Sequence, residues 1–395
     1  MRLKPKNEQK KKPAAKTVEP KSVCKKAPEG EAKENALLAA CNELNKQYSG
    51  EIPFISPGGY EQVMDSVVAQ STGILSYDRS SGGGFWDGKI NEVFGPEGGG
   101  KTTMCLKYVA TQMGLGKSAI WADAEHSLNM LRAKQLGIKV IRPKPGENLG
   151  EAVLRALREH AMLVMLPVVG EHCFDAIKAF CGLIDIMVVD SVPALIPTEI
   201  VKGSNTDTFV GAQARMMAQG LMNIVSANKK KNPSTIVFIN QLSSVINAGP
   251  HGKKTTTPGG RRLKFYARNR TYVTRIGSPL DQLDPPKGHR ILTKTEKNSF
   301  FPDRRESEFN LLYTTGDFDL QEQVSRVLLA MGRIDQKGSW LVDTTTDDKW
   351  QGFDKMFLAW DENEDYFEEL LTAAADYVHA EISAIKNKGL ESLYE

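Results

Sequence analysis

The sequence predicts an α/β fold in which helices flank a mostly parallel central sheet. Between about residues 66 and 313, apolar β-branched runs alternate with stretches of helical periodicity. The first four runs are separated by long helical stretches, as the crossover connections of parallel strands require. A glycine-rich phosphate-binding motif follows the first run directly. With 395 residues, 41% of them hydrophobic, the chain can bury one sizeable core and carry smaller appended parts.

The first 34 residues predict a basic, disordered arm that is rich in lysine and proline and contains the run Lys10-Lys11-Lys12. Such an arm is either a solvated tail or a contact to phosphate backbones, and we keep both interpretations. It has no apolar stretch of the kind that secretory signals carry. Its bias to lysine, with few serines, also disfavours an organellar transit peptide. We therefore expect a cytoplasmic protein.

Residues 35–65 predict a short helix followed by a linker. Apolar residues at helical spacing run from about Ala36 to Tyr48, and Gly50 ends the pattern. An isolated helix of this length is unstable in water, so its apolar face must pack against the core or against a neighbouring subunit. We expect this segment to dock subunits together.

Residues 66–315 predict the core that contains the sheet, and residues 316–395 predict a small α-rich C-terminal domain with one turn at 338–340. The last three core strands follow one another closely, which favours an antiparallel extension of the sheet. The predicted strands are residues 90–94, 118–122, 184–189, 235–239, 270–276, 290–295 and 308–313.

The phosphate-binding motif GxxxxGK[ST] is the strongest functional signal, because it follows a predicted strand and opens a predicted helix. Its glycines let backbone N–H groups point at phosphate oxygens, and the positive N-terminus of the helix lies beside them. Lys101 adds a charge toward the terminal phosphate, and the hydroxyl of Thr102 can bind Mg²⁺. We therefore expect ATP and Mg²⁺ at Gly95, Pro96, Glu97, Gly98, Gly99, Gly100, Lys101, Thr102 and Thr103.

Three further strand ends should lie beside this motif, since ligands bind at the carboxyl ends of parallel strands. Asp123 and Glu125 follow the second strand, and one of them is a candidate general base for water. Asp190 closes the third apolar strand, where an acid can hold the Mg²⁺ shell. Gln241 closes the fourth, and its amide can exchange hydrogen bonds when a phosphate leaves.

Two loops predict contacts to DNA. Residues 242–260 are rich in glycine and lysine and directly follow Gln241, so this loop suits DNA binding under the control of a phosphate sensor. We expect Lys253, Lys254 and Arg261 to contact DNA. The second loop lies between residues 197 and 211 and leads into a helix whose two methionines, at 216 and 217, we expect in the core.

Cysteine usage and hydropathy exclude several protein classes. The five cysteines stand apart without CxxC spacing, so neither a disulfide framework nor a zinc site is predicted. The longest apolar run, around residues 161–169, is interrupted by Pro167 and is too short to span a membrane. We expect no membrane as a partner.

Taken together, these motifs resemble the bacterial RecA recombinase family over roughly residues 34–313. The resemblance implies a RecA-like ATPase core and a helical homo-oligomeric filament on single-stranded DNA. It further implies pairing with a homologous duplex, strand exchange and DNA-stimulated ATP hydrolysis, with loading or single-strand-binding proteins as further partners. Besides the phosphate motif, the matching stretches are residues 71–73, 123–126, 188–192, 214–217, 238–241 and 264–267.

The resemblance also implies roles for single residues. Glu125 matches the family's hydrolytic base, and Gln241 matches its nucleotide sensor. Arg215, Gly259 and Gly260 match contacts to the DNA backbone in the two loops. The helix near residues 36–48 resembles the segment that docks onto the adjacent subunit.

The chain departs from the family at two ATP contacts and at both ends. Arg132 stands where the family has an aromatic side chain stacked on adenine, and arginine can also stack on a base. Lys297 matches one of two lysines that reach the phosphates of the neighbouring subunit, but the second cation is absent or has moved to Arg304 or Arg305. We therefore expect turnover on DNA to be slow or to need a replacement cation. The basic arm and the absence of an acidic C-terminal tail indicate a divergent member, for example a viral one.

Three other functions compete with recombination. A ring helicase shares the ATPase core, but it leaves the stretches at 214–217 and 264–267 unexplained. A small-molecule kinase gives no reason for a basic loop after the phosphate sensor. A DNA-binding filament without catalysis disagrees with the intact Lys101, Thr102, Glu125 and Asp190.

Overall fold

A nine-stranded sheet forms the centre of the structure, a computed structural model that describes residues 67–203, 209–228, 232–244, 255–281 and 283–394. The basic arm and the docking helix, both predicted within residues 1–65, lie outside the described residues. The described part of the chain from Val67 onward forms one unit by its internal contacts.

The elements are labelled in chain order over the described residues. The strands are β1 (Ala69–Gln70), β2 (Phe85–Trp86), β3 (Ile90–Gly95), β4 (Ala119–Asp123), β5 (Val140–Ile141), β6 (Met162–Met165), β7 (Ile186–Asp190), β8 (Thr235–Gln241), β9 (Ser243–Ser244), β10 (Thr255–Thr256), β11 (Asn269–Pro279), β12 (Gly288–Asn298), β13 (Glu306–Leu312), β14 (Ile334–Lys337), β15 (Trp340–Asp343) and β16 (Lys349–Gln351). The helices are α1 (Leu75–Ser81), α2 (Lys101–Gly114), α3 (Met130–Gln135), α4 (Leu149–Arg158), α5 (Gly170–Phe180), α6 (Thr198–Lys202), α7 (Phe209–Ala227), α8 (Arg261–Tyr266), α9 (Leu320–Met331), α10 (Phe353–Glu362) and α11 (Glu364–Tyr394).

The strand order across the sheet is β13-β12-β11-β3-β8-β7-β4-β6-β5. Neighbouring strands from β11 to β5 are parallel, whereas β11 pairs with β12, and β12 with β13, in antiparallel fashion. The mostly parallel sheet, its seven predicted strands and its antiparallel extension are therefore confirmed. Because β3, β8, β7 and β4 lie side by side, the loops that follow them meet at one edge of the sheet.

The sequence predicts four crossover strands before the antiparallel extension, but the structure has six over its described residues. The additional strands are β5, of two residues, and β6, of four. Both are too short for periodicity to separate a buried strand from a helical segment. They extend the sheet beyond β4, on the side away from the phosphate-binding motif.

Two apolar layers cover the two faces of the sheet. Trp121 and Val188 belong to one buried cluster, while their chain neighbours Ile120 and Met187 belong to the other. Successive side chains of a strand point to opposite faces, which is why both faces of these central strands are apolar. The expectation that the two methionines of α7 are core residues is also confirmed, since Met216 is 8% exposed and Met217 is fully buried.

The C-terminal segment is rich in helix, with α9, α10 and α11, but it also contains a small sheet that the sequence did not predict. Strands β14, β15 and β16 form an antiparallel sheet whose first hairpin contains the predicted turn at 338–340. These strands are three or four residues long and partly polar, so they carry little strand signal. The third apolar cluster joins this segment to Trp86 and Phe301, and the domain boundary at residue 315 stays a prediction.

Within the described residues, no helix is long and apolar enough to cross a membrane.

A buried carboxylate holds the C-terminal sheet to helix α11. Asp343 accepts hydrogen bonds from Arg333 Nε at 2.9 Å, from the Tyr366 hydroxyl at 2.6 Å and from the backbone N–H of Thr345 at 2.7 Å. Burial acts to raise the pKa of Asp343, but these hydrogen bonds, with that of the Thr346 backbone, outweigh it and hold the pKa below its usual value. The ionised form therefore stabilises the fold.

Replacing Asp343 with Asn should lower the free energy of unfolding at pH 7 by about 1–3 kcal/mol, because buried donors lose their acceptor. Since the folded-state pKa is lowered, this stabilisation is present above the unfolded-state pKa and is lost as pH falls through the folded-state value. Urea unfolding from pH 7 to pH 3 should show the two proteins converging in acid. The exposed Asp376→Asn serves as control, and a difference independent of pH would contradict the assignment.

Candidate functional site

The phosphate-binding motif forms the loop between β3 and the N-terminus of α2. Gly98 and Gly100 adopt positive φ values of 65° and 93°, which favour glycine. A Cβ on Gly95 would lie 1.9 Å from the Val273 carbonyl oxygen, so this close backbone approach also requires glycine. The predicted strand, loop and helix are therefore all present, and backbone N–H groups at the start of α2 are available to an anion.

Lys101 lies in this cradle at the first position of α2. Its Nζ donates to the Pro96 carbonyl oxygen at 2.6 Å, and only 7% of the residue is exposed. Burial lowers the pKa of Lys101, while the carboxylates of Asp190 and Glu125 act in the opposite direction. A phosphate would give this buried ammonium a stronger partner than one carbonyl.

The structure brings Thr102 and Asp190 together across the sheet edge. Thr102 Oγ1 donates to Asp190 Oδ2 at 3.0 Å. Burial, and then the charge of Glu125, raises the pKa of Asp190 to about 7. These two side chains offer hard oxygen ligands, the kind that Mg²⁺ prefers. Among the described residues, no three His, Cys, Asp or Glu side chains are grouped to hold a metal, so phosphate and water would complete such a shell.

Glu125 and Gln241 meet at the same edge. Gln241 Nε2 donates to Glu125 Oε1 at 3.0 Å, and the Ser191 hydroxyl also hydrogen-bonds Glu125 Oε1. Glu125 is exposed, whereas Asp123 is 1% exposed and accepts from the backbone N–H groups that follow it in the β4–α3 loop. Of the two candidate bases, Glu125 alone is therefore placed to reach a water, and Asp123 is a structural cap.

The strand that ends at Gln241 is anchored by a buried ion pair. Asn240 Nδ2 donates to Glu92 Oε1 at 2.9 Å, and Arg270 Nε lies 2.5 Å from Glu92 Oε2. The Glu92 side chain is fully buried, and the Arg270 guanidinium lies 4.5 Å from the centre of the Phe94 ring. These contacts connect β8 and β11 to β3, the strand that leads into the phosphate cradle.

A cavity of about 270 Å³ extends from the cradle to the far strands of the sheet. Arg132, the predicted adenine contact, lines it together with residues that sequence reasoning missed: Arg275, His289, Leu311 and Tyr313. His289 and Leu311 lie side by side because β12 and β13 pair in this register. No local sequence motif predicts that pairing. Ser191 was missed too, although its position directly after Asp190 is a usable signal.

Lys297 does not lie in this cavity. Its Nζ donates to the carbonyl oxygens of Lys264 and Phe265, at 3.0 and 2.9 Å, in the last turn of α8. Burial, and then the charges of Arg268 and Arg270, lowers the pKa of Lys297. Within a single subunit this lysine therefore caps a helix.

Those predicted DNA-binding residues that the structure describes lie around α7 and α8. Arg215 is exposed and pairs with Glu199 at 2.7 Å. A Cβ on Gly259 would lie 2.8 Å from Val192 Cγ1. Gly260 precedes α8 with a φ of 76°, and a Cβ there would lie 3.3 Å from Ala214 Cβ in α7, so both glycines allow the loop a close approach. Arg261 is exposed at the start of α8, while Lys253 and Lys254 lie outside the described residues.

Comparison with known proteins agrees with this geometry. The family model of the RecA N-terminal domain matches residues 35–317. The chain is similar to Protein RecA of Thermus thermophilus, with 35% identity over 315 residues that cover 78% of this chain and 83% of that protein. It is also similar to Protein RecA of Nitratiruptor sp., with 34% identity over 311 residues that cover 78% and 83% of the two chains.

Proposed function

This chain belongs to the RecA family, and we propose that its sheet-edge site hydrolyses ATP to control a filament on single-stranded DNA. It is a RecA-type recombinase with strand-exchange function and a DNA-dependent ATPase. The observation that supports the proposed control most strongly is the 3.0 Å hydrogen bond from Gln241 to Glu125. This bond joins the start of the DNA-binding loop to the candidate base.

In the proposed site, the α2 N-terminus and Lys101 bind the phosphates of ATP. Thr102 and Asp190 hold Mg²⁺, which the 3.0 Å approach of their oxygens supports. When bound, Mg²⁺ neutralises charge on the phosphates. Asp123 keeps the β4–α3 loop in place and thereby positions Glu125 at its tip.

Glu125 is proposed as the general base. Its carboxylate accepts a proton from the water that attacks the terminal phosphorus, and ADP leaves with the bridging oxygen. Ser191 and Gln241 both engage the same carboxylate oxygen of Glu125. A terminal phosphate offers Gln241 a competing acceptor, so ATP binding would move the start of the 242–260 loop.

DNA binding is proposed for Arg215, Lys253, Lys254, Gly259, Gly260 and Arg261. For Arg215, Gly259, Gly260 and Arg261, the support is their position around α7 and α8, next to the strand that ends at Gln241. For Lys253 and Lys254 it is the sequence of the loop alone. Backbone N–H groups of glycines and exposed arginines both suit phosphate contacts. Arg215 is held by Glu199 in the single subunit, so DNA would have to displace this exposed pair, which is weak. A cytoplasmic location, filament loaders and single-strand-binding partners stay predictions.

Lys297 is proposed to act on ATP bound to the neighbouring subunit. Lys297→Ala should then lower kcat for DNA-stimulated ATP hydrolysis by about 10³-fold or more, as loss of a trans-acting cation does. Lys294→Ala, on the same strand and paired with Glu306, is the matched control. A mutant with lowered thermal stability but wild-type kcat would show that capping α8 is its whole role.

Electron microscopy of the protein on single-stranded DNA tests the proposed function. With ATP we expect helical filaments whose formation weakens steeply with salt, because phosphate contacts release counterions. Without ATP, or with Lys101→Ala, filaments should be absent or short. Closed rings, or filaments indifferent to nucleotide, would contradict the proposal.

A further inference from the structure

Another cavity, apart from the nucleotide site, lies at the outer edge of the central sheet. Its volume is about 300 Å³, at the lower end of the range of about 300–1,000 Å³ that is usual for small-molecule sites. Its walls come from helix α1, from strands β12 and β13 and from helix α9. Strand β13 is the last strand of the sheet, so the cavity opens beside an edge strand. None of the described residues that were predicted to bind ATP or DNA lines it.

Three arginines line this cavity, and each comes from a different part of the fold. Arg79 lies on α1, Arg305 directly precedes β13, and Arg326 lies on α9. Arg305 is one of the two residues that the sequence suggested in place of the second cation, and within a single subunit it lies here. Like charges repel each other, so such a cluster is stable only where anions balance it.

The carboxylates that contact these arginines balance them incompletely. Glu381 on α11 serves two of them: its Oε2 lies 2.8 Å from Arg79 Nε, and its Oε1 lies 3.6 Å from Arg305 Nη2. Arg326 Nε donates to Glu322 on its own helix. Two carboxylates therefore face three guanidiniums, which leaves one positive charge in excess.

Two further carboxylates line the cavity, but each is already paired with another cation. Glu306 Oε1 accepts a hydrogen bond from Lys294 Nζ at 2.6 Å, and Glu308 Oε2 lies 3.6 Å from Arg290 Nη1. Lys294 and Arg290 lie on β12 and do not belong to the lining. They neutralise the two acids, so the excess positive charge of the arginines remains.

Most of the guanidinium N–H groups have no hydrogen-bond partner within the described part of the chain. Only Nε of Arg79 and Nε of Arg326 donate a hydrogen bond there, in each case to a carboxylate, and no N–H of Arg305 does. Each guanidinium carries five N–H donors and no acceptor. The hydroxyl of Ser76, one helical turn before Arg79, also has no partner among the described residues. The cavity therefore suits a ligand that is rich in acceptor oxygens.

We propose that this cavity binds the phosphate group of a small phosphorylated ligand, held by Arg79, Arg305 and Arg326. A phosphate presents at least three acceptor oxygens in a tetrahedral arrangement, which suits donors that approach from three elements. A carboxylate presents two oxygens in one plane, and a single bidentate arginine satisfies it. A nucleic-acid backbone would need a continuous basic stripe, whereas Glu306 and Glu308 interrupt these arginines.

Such a ligand would also hold the C-terminal segment to the core. Arg79 and Arg305 precede residue 315, the predicted end of the core, whereas Arg326 follows it. A ligand that binds only the folded protein stabilises it by mass action, so occupancy of the cavity should raise Tm. This inference does not depend on ATP hydrolysis or on DNA binding.

The test measures the binding of inorganic pyrophosphate to the full chain carrying Lys101→Ala, so that binding at the phosphate-binding motif is weakened. Isothermal titration calorimetry gives the dissociation constant, and thermal unfolding gives the shift in Tm. Pyrophosphate should bind saturably and raise Tm. Arg326→Gln in the same background should weaken this binding by about tenfold to 100-fold, because a hydrogen bond between two charged groups is lost.

Arg305→Gln is a second variant that should fold normally, since its ion pair with Glu381 is long and partly exposed. It should weaken pyrophosphate binding as Arg326→Gln does. The matched control is Arg290→Gln, which removes a positive charge beside the cavity but not from its lining. It should bind pyrophosphate as tightly as the parent protein.

Three results would overturn the inference. Pyrophosphate binding that is absent, or unchanged in both Arg305→Gln and Arg326→Gln, would show that these arginines serve only their ion pairs. Equal weakening by Arg290→Gln would show that the general charge of this surface attracts the anion. Citrate, which carries three carboxylates, should bind more weakly than pyrophosphate, and equal affinity would contradict the preference for phosphate.

Discussion

Replacing Glu125 with Gln is expected to lower kcat for DNA-stimulated ATP hydrolysis by about 10²–10⁴-fold, the usual contribution of a positioned general base. Gln has nearly the same shape and can still contact Ser191, but it cannot accept a proton from water. ATP affinity should change little, because the cradle around Lys101 and Thr102 is untouched. Single-turnover hydrolysis and nucleotide binding, measured on the same preparation, separate the two effects.

The exposed Glu368→Gln on helix α11 is the control for Glu125→Gln, since it removes the same charge from the C-terminal segment. A Glu125→Gln protein that keeps more than about a tenth of wild-type kcat would exclude Glu125 as the base. Asp123 offers no alternative, because the backbone of its own loop engages both of its carboxylate oxygens.

Replacing Arg270 with Met is expected to lower the free energy of unfolding by about 3–5 kcal/mol, because it leaves the Glu92 carboxylate buried without its charged partner. The Glu92 side chain is fully buried, and Asn240 would be its main remaining donor. Urea denaturation with a two-state fit gives the difference.

The double variant Glu92→Gln/Arg270→Met is the matched control. It removes both charges together, so most of the lost stability should return. A single Arg270→Met variant that loses less than about 1 kcal/mol would show that the pair is not a structural requirement. Since Asn240 precedes the sensor Gln241, the single variant should also reduce the stimulation of ATP hydrolysis by DNA.

Sequence alone predicts those parts of the site that lie within one motif. The strand, glycine loop and helix at residues 90–114 form a local unit, and Asp190 ends a continuous apolar run. The carboxyl ends of parallel strands lie at the same edge of a sheet. Glu125, Asp190 and Gln241 are therefore predicted to lie in one site.

Sequence could not predict contacts that depend on long-range register. His289 lies on β12 and Tyr313 directly follows β13, and the antiparallel pairing of these two strands brings both residues to the cavity. The capping role of Lys297 needs the end of α8, which lies some thirty residues earlier in the chain, as its bonds to Lys264 and Phe265 show. The small C-terminal sheet was not predicted, because its strands are short and bear polar side chains, including the buried Asp343.

Strand exchange between a circular single strand and a homologous linear duplex tests the central claim most directly. We predict joint molecules that require ATP and homology, and that disappear with Lys101→Ala. Their number should fall with salt in parallel with single-strand binding. Hydrolysis of ATP on DNA without homologous joint molecules, or joint molecules formed equally well by Lys101→Ala, would contradict the account.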